Sequence, residues 1–198
     1  MMKFLRMMMG IQTNWYHRYL NLPFEITPPE YFKHKDGKDI KHFYIDDDYS
    51  EVDSFFDSLG LILLLKEVFY TPPGKKIPIH TDHGMYTMHS KINITWGSED
   101  GMIQWWKSDK TFRKKLNGYE NLTSEVHHNL WANEEDCQFL FEANTNKPSL
   151  VNVGILHGTN NPNKEEGRWT LCFVPQTKQK QFVHWNSALE IFRPYLEI

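Results

Sequence analysis

From Leu61 onward the chain is written in short apolar runs broken by turns. "LILLLKEVFY" (61–70) is continuous and apolar, the pattern of a strand covered on both faces. After the loop "TPPGKK" come "IPIHTD", "MHSKINITW" and "MIQWWKS", and the "GSEDG" between the last two predicts a hairpin turn. "CQFLFEA", "SLVNVGILH" and "RWTLCFVP" bring the strands to about seven. No βαβ alternation, internal repeat or low-complexity block interrupts them. The pattern predicts a mainly β protein, a sandwich or jelly roll, with a few flanking helices.

Helical spacing is confined to the flanks. In "SEVDSFFDSLG" Val52, Phe55, Phe56 and Leu59 share one face, Ser50 and Asp53 stand at capping-box spacing, and Gly60 suits the stop. The tail "NSALEIFRPYL" predicts a short helix capped by Asn186 or Ser187. Residues 1–48 are mixed and predict irregular structure with an edge strand or a short helix. Residues 109–135 read as a polar surface insertion. The expectation is one domain over 1–198: a flanking segment 1–60, a β core 61–175 and an extension 176–198.

Composition narrows the partners. The formal net charge of −3 provides no general basic field, which argues against nucleic acid or an anionic membrane as partner. The longest apolar run is too short to span a bilayer, and the opening residues are broken by Arg6 and Gly10, so a non-targeting N-terminus and a cytoplasmic location are expected. Cys137 and Cys172 both stand in strand-like runs and read as reduced, buried thiols. Aromatics at 15% predict a core and clefts lined by large rings.

Three positions carry candidate chemistry. In "HTD" His80 and Asp82 stand at i and i+2 and project from one face of a strand. They supply two thirds of the facial triad that holds non-haem iron, although a strand-end hydrogen bond accounts for the same pair. His157 stands at the mouth of a second apolar strand, placed to meet the end of a partner strand. In "RWTLCFV" alternation sets Arg168, Thr170 and Cys172 on one face and Trp169, Leu171 and Phe173 on the other. A guanidinium aimed into a covered sheet needs a carboxylate, either from a ligand or from Glu165 or Glu166 in the preceding turn.

In this order, His80-Thr81-Asp82, His157 and Arg168-Trp169-Thr170 resemble the 2-oxoglutarate- and Fe(II)-dependent oxygenase superfamily over residues 61–175. The resemblance implies a double-stranded β-helix, a jelly roll of cupin-like form. It implies Fe(II) on His80, Asp82 and His157, with Arg168 pairing the distal carboxylate of 2-oxoglutarate and Thr170 donating to it. The implied reaction consumes O2 and 2-oxoglutarate, releases succinate and CO2, and usually hydroxylates a C–H bond of a small-molecule or peptide substrate. Retention of Asp82 favours hydroxylation over halide transfer. Val174 stands where the nucleic-acid demethylases carry a second Arg, and Arg168 where collagen-type prolyl hydroxylases carry Lys, so neither branch is indicated.

On the strand after the HTD motif, Ser90, Lys91 and Asn93 are all candidates to touch cosubstrate or substrate. His89 is a candidate for the pocket mouth, Trp105 or Trp106 for a substrate wall, and His83, His127 and His128 for structure or solvent. Two other functions compete. One is a non-catalytic cupin-like module that binds metal or a small ligand, favoured if a protein carboxylate satisfies Arg168. The other is a zinc hydrolase, disfavoured by the absence of His-Glu-x-x-His. The oligomeric state is left open.

Overall fold

The computed structural model describes residues 15–33, 37–82, 89–114 and 129–197. The strands among them are β1 (His17–Tyr19), β2 (Lys41–Tyr44), β3 (Leu61–Thr71), β4 (Lys76–His80), β5 (Ser90–Gly97) and β6 (Met102–Lys107). They continue as β7 (Phe112–Lys114), β8 (Asn129–Trp131), β9 (Gln138–Ala143), β10 (Ser149–Asn152), β11 (His157–Asn160) and β12 (Arg168–Thr177). Helices α1 (Ser50–Ser58) and α2 (Trp185–Ile191) flank them. No helix among the described residues is long and apolar enough to cross a membrane.

Two six-stranded sheets form, in the orders β1-β10-β5-β12-β3-β2 and β7-β8-β4-β11-β6-β9. From β3 to β6, and again from β9 to β12, each strand lies in the sheet opposite the strand before it. That winding is a double-stranded β-helix, so the protein is a mainly β jelly roll of cupin-like form with few helices. The N-terminal segment contributes β1 and β2 as the two edges of the first sheet. The predicted polar insertion contains β7 and β8, an added edge of the second sheet, while residues 115–128 with His127 and His128 lie outside the described residues.

The winding corrects two strand readings. "GSEDG" is no hairpin turn: β5 is already paired on both sides, by β10 and β12, and the turn carries the chain across to β6 in the other sheet. "SLVNVGILH" is two strands, β10 and β11, in different sheets. His157 therefore opens a strand instead of closing one. Both helix caps also differ. Ser50 is the first helical residue, and its N–H is accepted by Asp48 Oδ1 at 2.9 Å. At α2 the cap is His184, whose Nδ1 accepts the Asn186 N–H at 3.3 Å. Gly60, with φ of +75°, does end the first helical segment.

Alternation along the first sheet decides where the core sits. Val68 and Tyr70 of β3, Ile92 and Ile94 of β5, and Leu171 and Phe173 of β12 point outward and pack with Val52, Phe55 and Phe56 of α1, Trp185 and Ala188 of α2, and Phe192. Val68, Ile92, Leu171 and Phe173 are wholly buried there, each worth about 1.5–3 kcal/mol. The opposite face, turned toward the second sheet, carries Glu67, Lys91, Asn93, Thr95, Arg168, Thr170 and Cys172, all buried. A smaller apolar cluster of Ile103, Trp105, Ala143, Val151 and Val153 closes one part of the space between the sheets.

Candidate metal centre

β4 ends and β11 begins at the same level. His80 and His157 are register partners across the two strands, with ring centroids 4.7 Å apart. Asp82 follows β4 after one residue, and its backbone N–H is tied to the Val153 carbonyl at 2.9 Å. The three side chains converge: one ligand atom from each lies within 4.8 Å of the others. His80 Nε2 is 3.2 Å and His157 Nε2 4.0 Å from Asp82 Oδ1. Trp131 of β8 stacks on the His80 ring at 4.9 Å and 23°.

Both imidazoles are oriented in the same way. His80 Nδ1 lies 2.7 Å from the Pro78 carbonyl and His157 Nδ1 2.9 Å from the Ile155 carbonyl, each two residues back along the chain. A carbonyl only accepts, so each Nδ1 carries hydrogen and each ring turns its Nε2 toward the cluster. Burial pulls the His157 pKa down to about 4, which keeps that imidazole neutral. Burial works to raise the Asp82 pKa, but the Lys91 ammonium outweighs it and holds the carboxyl well below the usual range. Two imidazole nitrogens and a carboxylate oxygen facing one another form a donor set that fits a divalent metal.

The same pocket contains Lys91, Asn93, Arg168, Thr170 and Cys172. Arg168 is 2% exposed, yet no carboxylate among the described residues pairs with it, and Glu165 and Glu166 do not reach it. Its Nη1 donates to Thr170 Oγ1 at 2.7 Å and its Nη2 to Thr145 Oγ1 at 2.9 Å, while Nε has no hydrogen-bond partner among the described residues. Thr95 Oγ1 lies 2.7 Å from Thr145 Oγ1 and 3.2 Å from Thr170 Oγ1, closing a hydroxyl trio beneath the guanidinium. Two hydroxyl contacts use two of the three hydroxyl protons, so one O–H remains to donate elsewhere. Gly101 makes room for Arg168, since a Cβ there would lie 2.4 Å from Arg168 Cδ. Burial lowers the Arg168 pKa to about 10, still a cation at neutral pH. Burial raises the Cys172 pKa and keeps it a thiol.

The structure thus brings His80, Asp82, His157, Arg168 and Thr170 to one pocket. Thr170 has a contact that the sequence reading lacked, as acceptor from Arg168. Of the three candidates on β5, Lys91 and Asn93 line the pocket, and Asn93 Oδ1 is buried without a hydrogen-bond partner among the described residues. Ser90 Oγ donates to the Val183 carbonyl instead. His89 is wholly buried against Phe182, away from the pocket mouth, and Trp105 is a core residue whose Nε1 donates to the Asn152 carbonyl. Cys137 is only partly buried and precedes β9 rather than lying in it, while Cys172 is buried as expected. His83 lies outside the described residues.

Sequence reasoning missed Glu67, Thr95 and Thr145. Glu67 had a signal, a carboxylate at the centre of "LLLKEVFY". Thr145 had none, since nothing in the loop before β10 announces that it reaches Arg168.

No protein-family model matches this sequence, and no curated protein matches it. Several solved structures do. EvdO2 from Micromonospora carbonacea var. aurantiaca, complexed with 2-oxoglutarate, aligns over 70% of this chain and 69% of its own, at 11% identity and a TM-score of 0.36. HygX from Streptomyces hygroscopicus, with nickel and 2-oxoglutarate bound, aligns over 74% and 73%, at 11% identity and a TM-score of 0.37. The ycfD protein of E. coli aligns over 86% of this chain and 46% of its own, at 9% identity and a TM-score of 0.41. By its own strand order and side chains, this chain is a cupin-like jelly roll with a largely buried His-Asp-His cluster beside a buried arginine that no acid among the described residues pairs with.

Proposed function

We propose that the protein is an Fe(II)- and 2-oxoglutarate-dependent dioxygenase that hydroxylates a small-molecule or peptide substrate. The observation that carries this reading is Arg168: a buried cation with no carboxylate partner among the described residues, in the same pocket as the metal-type cluster. Burying such a charge is costly unless an anion joins it. The register of β12 against β5 sets Arg168 opposite Gly97, whereas Lys91 at the other end of β5 touches Asp82. The pocket therefore has a cluster suited to metal at one end and a carboxylate receptor at the other. A keto acid with a second carboxylate spans both.

Charge supports a dianion. In the pocket the carboxylates Asp82 and Glu67 balance the cations Lys91 and Arg168. A divalent metal adds two positive charges, and a dianionic cosubstrate restores neutrality. His80, Asp82 and His157 would hold the iron through Nε2, Oδ1 and Nε2. Arg168, fixed by Thr145 and Thr170, would grip the distal carboxylate, with the spare hydroxyl proton of the trio directed to it. When bound, iron supplies the coupled chemistry of O2, oxidative decarboxylation of the keto acid and oxidation of a substrate C–H bond.

The test is an anaerobic titration with Fe(II) and then 2-oxoglutarate, followed by the visible charge-transfer band of the chelate. The band should appear in the native protein and vanish in His157→Ala. If well-folded, iron-loaded native protein gives no band, the reading fails and the site is a binding module for another ligand.

A further inference from the structure

The two oxygens of Asp82 have different neighbours. Oδ1 faces His80 Nε2 at 3.2 Å and His157 Nε2 at 4.0 Å. Oδ2 is held by Lys91 Nζ at 2.7 Å. The lysine is itself fixed: it is 2% exposed, Glu67 Oε2 takes a second hydrogen bond at 2.5 Å, and its ammonium lies 5.9 Å from the Phe69 ring centroid. Lys91, Glu67 and Phe69 all stand on the inward face of the first sheet, so they hold the carboxylate from the side opposite the imidazoles.

We infer that Lys91, anchored by Glu67, is a positioning residue that restricts Asp82 to a single bond to the metal. This rests on the proposed function, because its consequence is a count of coordination positions. Two imidazoles, one carboxylate oxygen and a keto acid bound through two oxygens make five ligands, and a six-coordinate metal keeps one position for O2. A carboxylate free to bind through both oxygens would fill that position. A methylene-chain cation already hydrogen-bonded to Oδ2 prevents this, and its own charge is balanced by Glu67 so that the pocket gains none. Lys91 touches neither the reacting atoms nor the substrate in this role.

The experiment uses nitric oxide as the probe of the sixth position. Anaerobic protein loaded with Fe(II) and 2-oxoglutarate is exposed to the gas, and the S = 3/2 nitrosyl signal is counted per iron by electron paramagnetic resonance. The variant is the double substitution Lys91→Met with Glu67→Gln, which removes both charges of the pair together and leaves the metal as the cation beside Asp82. Native protein should give the full signal. The double variant should still show the chelate band but lose at least about tenfold in nitrosyl signal, the scale at which outer partners of metal ligands act. Lys91→Arg, which keeps a donor for Oδ2, should restore most of it.

An equal nitrosyl yield in the native protein and the double variant overturns the inference while leaving the iron and keto-acid reading intact. Should the double variant not fold, the structure of the native protein with Mn(II) and 2-oxoglutarate decides. Asp82 bound through Oδ1 alone with Lys91 on Oδ2 supports the inference, and a chelating Asp82 or a displaced Lys91 overturns it. Absence of the chelate band in the native protein would instead overturn the proposed function.

Discussion

β12 has two faces with opposite duties. Trp169, Leu171 and Phe173 point out beneath the helices and belong to the main core, whereas Arg168, Thr170 and Cys172 point into the space between the sheets and belong to the pocket. Most sandwiches keep their core between the sheets. Here much of that space is polar, and the larger apolar cluster has moved to the outer face, where α1, α2 and the N-terminal segment cover it. Stability and chemistry are therefore separated by side-chain parity along a single strand. Changes on one face should leave the other nearly untouched.

The largest effect should come from the outer face. Leu171 is wholly buried in the main cluster, and Leu171→Ala should cost about 2–5 kcal/mol in unfolding free energy. Urea denaturation reads that loss. Metal affinity, measured by titration below the unfolding transition, should stay within experimental error of the native value. A large drop in metal affinity would show that the two faces are coupled.

The converse substitution is Arg168→Met, three residues along and on the inner face. It removes two charge-assisted contacts to a carboxylate, so 2-oxoglutarate binding to the iron-loaded protein should weaken at least about a hundredfold. Stability of the ligand-free protein should hold or rise, because an uncompensated buried cation has gone. Denaturation and the chelate titration together test both halves. A variant that loses stability as well as affinity would make Arg168 a structural residue and blur the division between the faces.

The division was legible in the alternation of "RWTLCFV", which a strand must turn into two faces whatever it packs against. The convergence of His80 with Asp82 was legible for a local reason too, since Asp82 follows His80, the last residue of its strand, by two positions. What pairs across the fold was not. "GSEDG" announces a reversal of the chain, but a turn does not reveal that β10 and β12 already occupy both edges of β5. The Lys91–Glu67 pair joins strands 24 residues apart, and Thr145 reaches Arg168 from 23 residues away. Such contacts follow from topology, and only the pair of charges set in apolar strands hinted at them.

The smallest effect is expected inside the barrel, where another buried basic group, an imidazole, is handled differently from Arg168. His17 of β1 is 5% exposed, packed edge-on to Tyr19 at 4.5 Å and 6.4 Å from Trp105. Burial, with a smaller push from Arg18, lowers its pKa from 6.5 to about 4. An imidazole can answer burial by giving up its proton; the Arg168 guanidinium, still charged at neutral pH, cannot, which is why only the latter needs an anion. The sign follows from the direction of the shift. Between pH 6.5 and about 4 the unfolded chain binds a proton that the folded one refuses, so His17 makes the fold less stable as the pH falls through that window. From pH 7 to 6 this amounts to about 0.7 kcal/mol. His17→Phe should flatten the acid side of the stability profile by that amount and leave the chelate band unchanged. If the native and variant profiles run parallel, His17 is protonated in the fold, and its neutrality is not what distinguishes it from Arg168.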